Sequence, residues 1–173
     1  MKKILPISLL LVVIDQVVKI LVINKMALQQ SIIVINNFFN ITYVRNTGAA
    51  WSILSGNVLL LIMISVIALG VIYYYLIKDK KLNKIDTISY SMLIGGIIGN
   101  LIDRVVHGYV IDYLDFKIFN YNFPIFNIAD TLIVISIIII GISLIVGEYR
   151  EQNRNKWRSK NKIRPILKWK NWV

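Results

Sequence analysis

Two aspartates in the C-terminal half of the chain have the residue type and the placement that acid–base chemistry needs. Asp130 ends the segment "FPIFNIAD" and opens the apolar run "TLIVISIIIIGISLIVG", where a carboxylate carries a high energetic cost. Asp112 lies in the preceding segment "GYVIDYLD", in which Asp115 is an equally placed rival. Two carboxyl groups held close together cannot both ionise, so one of them retains a proton.

Such a pair can hydrolyse a peptide bond. The ionised carboxylate takes a proton from water, which attacks the carbonyl carbon, and the protonated carboxyl polarises that carbonyl and later serves the leaving amine. A site partly in lipid favours sharing of the proton, because desolvation raises carboxylate pKa values. Asn127, three positions before Asp130, is placed to hold that carboxylate. Spacing alone leaves the choice between Asp112 and Asp115 open.

The residue types argue against other common catalytic sites. The chain has no cysteine, and His107 is its only histidine, so a thiol nucleophile is absent and a His/Cys zinc site has too few ligands. The sequence also lacks a G-x-S-x-G elbow, an H-E-x-x-H motif and a phosphate-binding glycine loop. We therefore expect carboxylate chemistry with no metal and no other cofactor.

The apolar composition indicates that membrane helices position these acids. Hydrophobic residues make up 57% of the 173 residues, and the mean hydropathy of +0.65 is too high for an ordinary soluble domain. A helix needs about 20 mostly apolar residues to cross a bilayer. The segments that qualify lie in one predicted membrane domain, residues 1–147, and are residues 4–23, 58–77, 85–106 and 125–147. Gly95, Gly96 and Gly99 predict that the third span lies inside the bundle.

The segment "SIIVINNFFNITY" (residues 31–43) mixes β-branched and aromatic residues with Asn in partial alternation, which predicts strands. We expect them to form a small outer sheet within residues 29–50, and we expect residues 107–124 to form a second outer loop. The predicted fold class is an all-α integral membrane protein with four transmembrane helices and a small extracytoplasmic β-sheet.

The distribution of positive charge predicts the orientation. The net charge is +11, and nine of the 20 Lys and Arg residues fall in the tail, residues 148–173. The tail, the N-terminal "KK" and the loop "KDKKLNK" share one side of a four-span protein, which the positive-inside rule makes cytoplasmic. The tail is expected to set topology, either disordered or as an interfacial helix on anionic lipid. Nucleic-acid binding is the alternative for such a tail, but the apolar runs favour a membrane protein.

The polar residues embedded in the spans predict one site near the outer surface. With a rise of about 1.5 Å per residue, Asp103 lies near the outer end of its span and Asp130 about 8 Å inside the outer end of the next. Apart from Asp86, the embedded ionisable residues fall in the outer half. Three sets each share a helix face, namely Asp15 with Lys19, Asn100 with Asp103 and Arg104, and Asn127 with Asp130. The first two sets are most simply structural, as an ion pair and a hydrogen-bonding scaffold.

Five segments together resemble the lipoprotein signal peptidases, the type II signal peptidases of bacterial membranes. They are "DQVVK" (15–19), "RNTGAAWS" (45–52), "GGIIGNLIDR" (95–104), "GYVIDYLD" (108–115) and "FPIFNIAD" (123–130). The resemblance implies an aspartyl protease with a four-helix core and an outer β-cradle. It implies that Asp112 and Asp130 are the catalytic acids, and so it selects Asp112 over Asp115.

The resemblance also implies the supporting residues and the substrate. The supporting polar residues would be Asp15, Lys19, Asn46, Asn100, Asp103, Arg104 and Asn127. The substrate would be a prolipoprotein whose Cys carries diacylglycerol, cut just before that Cys at the outer side of the bacterial cytoplasmic membrane. Tyr113 and Trp51 depart from the family pattern, since each stands where Phe is common. We expect a monomer, because no interface motif is evident.

Two other functions would also use a membrane protein with buried acids. A proton-coupled transporter would use them as a relay, but the embedded acids do not continue into the cytoplasmic half. A scaffold that binds a partner through the outer sheet would not explain the clustering of costly acids. An intramembrane protease of the G-x-G-D type is disfavoured, because neither Asp112 nor Asp130 lies in such a motif.

Overall fold

The structure is a computed structural model that describes residues 3–49, 53–78, 82–119 and 121–170. Its helices are α1 (Ile4–Lys25), α2 (Val58–Val71), α3 (Lys84–His107) and α4 (Ile128–Lys170), and a π-helical segment (Ile72–Ile77) continues α2. Its strands are β1 (Ser31–Ile35), β2 (Phe39–Asn46), β3 (Val110–Ile118) and β4 (Tyr121–Asn122). Trp51, singled out in the sequence, lies outside the described residues.

Helix α3 is the centre of the helical part, because it packs against α1, α2 and α4. Its glycines allow two of these neighbours to come close. A Cβ atom at Gly96 would lie 2.5 Å from the backbone oxygen of Ala129 in α4, and one at Gly99 would lie 2.5 Å from Oδ2 of Asp15 in α1. The inside position that the glycines predicted for this helix is therefore confirmed.

Four apolar helices occur where the sequence predicted spans. Among the described residues, α1, α3 and the Ile128–Gly147 part of α4 are long and apolar enough to cross a membrane, whereas the apolar helix Val58–Tyr74 is shorter. Large apolar side chains on these helices are exposed, including Leu5 (74%), Leu59 (70%) and Ile145 (70%). A surface of this kind matches lipid better than water.

The strands form one antiparallel sheet in the order β1-β2-β3-β4. On one face the Thr42 hydroxyl lies 2.8 Å from that of Ser31 and donates to Asp115 Oδ2 at 2.7 Å. On the other face the rings of Phe39 and Phe116 stack, with 4.5 Å between their centroids. The strands predicted within residues 31–43 are confirmed as β1 and most of β2.

Strand β3 corrects the prediction of a loop over residues 107–124. It pairs along β2, with Val44 opposite Asp112 and Asn46 opposite Val110. The first four residues of β3 are all buried, so the strand lacks the apolar–polar alternation that identifies a half-buried strand in a sequence. Asp112 is consequently a buried strand residue and not a solvated loop acid.

Helix α4 begins at Ile128, three residues later than the predicted span. The Asn127 Oδ1 atom accepts from the Asp130 backbone N–H at 2.9 Å, and Asp130 Oδ2 accepts from the Asn127 backbone N–H at 3.2 Å. This reciprocal pair is a capping box, which satisfies two backbone donors that the helix leaves free. At its other end α4 continues without a break through Lys170, so the tail is helical over residues 148–170.

The close approach at Gly96 can be tested with Gly96→Ala. We expect this substitution to destabilise the fold by about 1–3 kcal/mol, because the new methyl group would overlap the backbone of α4. The measurement is reversible unfolding in mixed detergent micelles. Gly141→Ala, in the same bundle with nothing within 4 Å of the added Cβ, is the matched control and should not destabilise. Equal effects of the two substitutions would contradict the packing described here.

Candidate active site

A buried ion triad forms the base of the candidate site. The Lys19 ammonium in α1 lies 2.8 Å from Oδ2 of Asp15 and 2.8 Å from Oδ2 of Asp103 in α3. All three side chains are excluded from solvent. The remaining carboxylate oxygens are also bonded, since Asp15 Oδ1 accepts from the Ala129 N–H at 3.1 Å and Asp103 Oδ1 from Gln16 Nε2 at 2.9 Å. The triad therefore fastens α1 and α3 to the first turn of α4.

Asn100, on the α3 face that it shares with Asp103, links this triad to Asp130. Its Oδ1 atom accepts the third hydrogen bond of Lys19, at 2.9 Å, and its Nδ2 atom donates to Asp130 Oδ1 at 2.7 Å. A lysine ammonium only donates, so the oxygen of the Asn100 amide must face Lys19 and its NH2 group must face the carboxylate. The buried cation thus fixes the orientation of the Asn100 amide.

Asn127 joins the two candidate acids. Its Nδ2 atom donates to Asp112 Oδ1 at 2.7 Å, and its backbone N–H donates to Asp130 Oδ2 at 3.2 Å. The same Nδ2 atom also approaches the Asn100 Oδ1 atom at 3.1 Å and the Ile111 carbonyl at 3.3 Å. A single residue therefore holds one oxygen of each acid, which brings Asp112 and Asp130 to one place at the start of α4.

Asp112 has a second amide donor and an environment that favours its protonated form. Asn46, at the end of β2, donates from Nδ2 to Asp112 Oδ2 at 2.9 Å, and its own Oδ1 accepts from the Gly48 N–H at 2.9 Å. The Asp112 side chain is buried, with 1% of the residue exposed. Burial, followed by the nearby charge of Asp130, raises the pKa of Asp112 to about 7, against the opposing hydrogen bonds from Asn46 and Asn127.

Asp115 lies apart from these acids. Strand residues three positions apart point to opposite faces, so Asp115 faces away from Asp112. Its Oδ2 atom accepts from Thr42 at 2.7 Å and from Asn40 at 3.5 Å on the polar face of the sheet. The geometry therefore brings Asp112, and not Asp115, to Asp130.

Both acids line a cavity of about 880 Å³ between the sheet and the helices. Asn46, Asn100 and Arg104 line it with them, and Ile97, Ile133 and Val134 supply an apolar wall. Arg104 reaches across, with Nη2 donating to the Gly48 carbonyl at 3.1 Å. Its Nε atom is buried and has no hydrogen-bond partner among the described residues. The lining therefore combines polar side chains around the two acids with an apolar wall.

All nine site residues expected from the sequence thus take part in one network or line its cavity. The sequence reasoning missed Gln16, which donates to Asp103 and at 3.1 Å to the Gly99 carbonyl. It also missed Arg45, whose guanidinium carbon lies 4.7 Å from the ring centroid of Tyr109 and fastens the end of β2 beside β3. The position of Gln16 directly after Asp15 could have indicated its place in the site. No feature of the sequence indicates that Arg45 pairs with Tyr109.

Comparison with known proteins finds relatives by sequence and by structure. A lipoprotein signal peptidase of Staphylococcus carnosus (strain TM300) is 41% identical over 139 residues, which cover 80% of this chain and 87% of the relative. One of Staphylococcus aureus (strain MRSA252) is 44% identical over 139 residues, covering 80% and 85%. A solved structure described as a bacterial membrane enzyme is 42% identical with a TM-score of 0.78, covering 84% of this chain and 88% of the other.

A second bacterial membrane enzyme structure has a TM-score of 0.75 at 42% identity, covering 83% of this chain and 93% of the other. The sequence model of the family described as signal peptidase (SPase) II matches residues 7–146, a range that contains the ion triad, the amides and both acids. The resemblance seen in the five sequence segments is thereby confirmed, and this chain belongs to the signal peptidase II family of aspartic-type peptidases.

Proposed function

We propose that this chain is a membrane aspartic endopeptidase that removes the signal peptide from diacylglyceryl-modified prolipoproteins and cuts just before the lipidated Cys. The observation that carries the proposal is the joint hold of Asn127 on Asp112 and Asp130, at the edge of a cavity with an apolar wall. The relatives named lipoprotein signal peptidase support the substrate class.

The reaction follows from a pair that holds one proton. The ionised carboxylate takes a proton from water while the water oxygen bonds to the peptide carbonyl carbon, and the protonated carboxyl gives its proton to the carbonyl oxygen. The tetrahedral intermediate then loses the amine as the C–N bond breaks. The carboxyl that took the proton from water supplies it to the leaving nitrogen, and the other recovers its proton from the intermediate's hydroxyl. The pair returns to its starting state.

The membrane arrangement belongs to the same proposal. Helix α2 and its π-helical continuation run from Val58 to Ile77, long enough at about 1.5 Å per residue for a fourth span. With the basic loop and tail in the cytoplasm, the sheet, Asp112 and Asp130 lie at the outer side. A substrate anchored by acyl chains in the bilayer reaches the cavity laterally. The protein acts as a monomer and needs neither a cofactor nor a nucleic acid.

The assignment of the acids predicts the effect of three matched substitutions. Asp112→Asn and Asp130→Asn should each reduce kcat/KM by at least about 10³-fold, because neither variant can carry one ionised and one protonated carboxyl. Asp115→Asn removes a charge from β3, the strand that also carries Asp112, but outside the cavity, and this variant should retain activity. The assay is cleavage of a diacylated precursor by purified protein in detergent. Cleavage at the normal rate by Asp112→Asn or by Asp130→Asn would show that the substituted aspartate has no role in the reaction.

The proton shared by the pair predicts a pH dependence. Because the pKa of Asp112 is raised to about 7, the pair keeps its proton below that pH and loses it above. The value of kcat/KM should therefore fall about tenfold per pH unit on the alkaline side of neutrality. An unchanged thermal midpoint at the alkaline pH, together with activity that returns at pH 6, would exclude unfolding as the cause. A flat profile up to pH 9 would contradict a proton held by these acids.

The apolar wall predicts dependence on the lipid. A diacylated precursor should be cut, and the same precursor without the diacylglyceryl group should be cut at least about 10²-fold more slowly, because anchoring and burial of the acyl chains are lost. Measuring both substrates in one detergent and with chelator present isolates the contribution of the lipid. Equal rates for the two precursors would overturn the proposed substrate class.

A further inference from the structure

The four oxygens of the two acids have different donors. Asp130 accepts at Oδ1 from the Asn100 amide, at 2.7 Å, and at Oδ2 from the Asn127 backbone N–H, at 3.2 Å. Asp112 accepts from the side-chain amides of Asn127 and Asn46, at 2.7 and 2.9 Å. The two acids have equal numbers of donors, so any difference in their tendency to ionise must come from the groups that hold and polarise those donors.

Positive charge stands behind the donors of Asp130. The Asn100 amide is held by Lys19 at 2.9 Å, which polarises it and directs its NH2 group to Asp130. Asp130 is also in the first turn of α4, where the free backbone N–H groups favour a negative charge. Arg104 is near enough to act on the carboxylate as well.

Lys19 and Arg104 also act on Asp112, but Asp112 lacks a helix N-terminus and a donor amide that is held by a cation. It lies within a strand, which contributes little net dipole. The amide of its Asn127 donor is shared among Asp112 Oδ1, the Asn100 Oδ1 atom and the Ile111 carbonyl, so three acceptors compete for two hydrogens. Its other donor, Asn46, is oriented by a backbone N–H and not by a cation.

From this asymmetry we infer that Asp130 is the ionised general base and Asp112 the protonated general acid, with Asn100 as the positioning residue that sets the order. The inference rests on the proposed function. Asp130 takes the proton from the attacking water, and Asp112 gives its proton to the carbonyl oxygen. Asn100 acts through Asp130: its amide, locked by Lys19, stabilises the carboxylate before the substrate binds.

The other charged groups around Asp130 do not reverse this order. The charged groups that act on it are Lys19 from α1, Arg104 from α3 and Asp112 from β3, while Asp15 and Asp103 are paired with Lys19. The charge of Lys19 acts on both Asp130 and Asp112, so by itself it does not distinguish the two acids. Lys19 distinguishes them through the Asn100 amide, which it orients towards Asp130.

Two matched substitutions test which acid holds the proton. Asn100→Ala removes the side-chain donor of Asp130, and Asn46→Ala removes one side-chain donor of Asp112. The pH profile of kcat/KM is measured for both with the diacylated precursor, because its two limbs report the first and the second ionisation of the pair. A purely structural role would lower the whole profile without moving either limb.

We expect Asn100→Ala to move the acidic limb upward by about one pH unit and to leave the alkaline limb in place, because an ionised base has lost a donor. We expect Asn46→Ala to move the alkaline limb upward by a similar amount, because the proton on Asp112 is held more tightly, with the acidic limb in place. Exchange of these two outcomes would reverse the assignment. Movement of both limbs in both variants would show an equivalent pair, and movement of neither limb would show a purely structural role for the two amides. Either result would overturn the assignment.

The thermal midpoint in detergent shows whether Asn100→Ala folds, and Asn100→Ser is the second variant if it does not. The serine side chain is too short to join Lys19 to Asp130, so the acidic limb should again move upward. Failure here is distinguishable from failure of the proposed function. Suppose that the wild-type protein cleaves the precursor and that Asp112→Asn and Asp130→Asn do not. An exchange of the expected limb shifts between Asn100→Ala and Asn46→Ala would then overturn only the assignment of base and acid. If the wild type does not cleave the precursor, the proposed function itself fails.

Discussion

The end of the helical bundle that holds both acids depends on one cation that has no access to water. Lys19 uses its three hydrogens on Asp15, Asp103 and Asn100. Removing a charge from water costs several kcal/mol, and the cost is recovered only when every donor and acceptor finds a partner in good geometry. Here these partners are in place only when α1 and α3 pack in one register and the first turn of α4 lies against Asp15. The position of the cation and the arrangement of the helices therefore determine each other.

The glycines of α3 and the asparagines of the site are consequences of this arrangement. Gly99 leaves room for the Asp15 carboxylate, which a Cβ atom would meet at 2.5 Å. Asn100 and Asn127 are amides, which donate and accept at once, so each can connect two groups of different type. A carboxylate at either position would add negative charge, and a lysine could not accept from Lys19. The polar network passes from cation to amide to acid because each amide presents an acceptor on one atom and a donor on another.

The sequence predicted the helices and the grouping of polar residues well, and it predicted their partners poorly. The separation of Asp15 and Lys19 revealed a pair within α1, but Asp103 comes from another helix and no periodicity shows it. Asn127 and Asp130 have the spacing of a capping box, which would have placed the start of α4 at Ile128; the apolar residues before them extended the predicted span instead. The choice between Asp112 and Asp115 was open because β3 is buried on both faces where it begins.

Asn127 caps α4 and also holds both acids, so the first turn of this helix and the distance between the acids are coupled mechanically. A helix that crosses a bilayer adjusts its tilt when lipid thickness changes. Tilt of α4 would be transmitted through its cap to the carboxyl pair without any intermediate element. The separation of the two carboxyl groups would thus depend on the thickness of the surrounding lipid, and membranes with different acyl lengths would hold the same pair in different geometries.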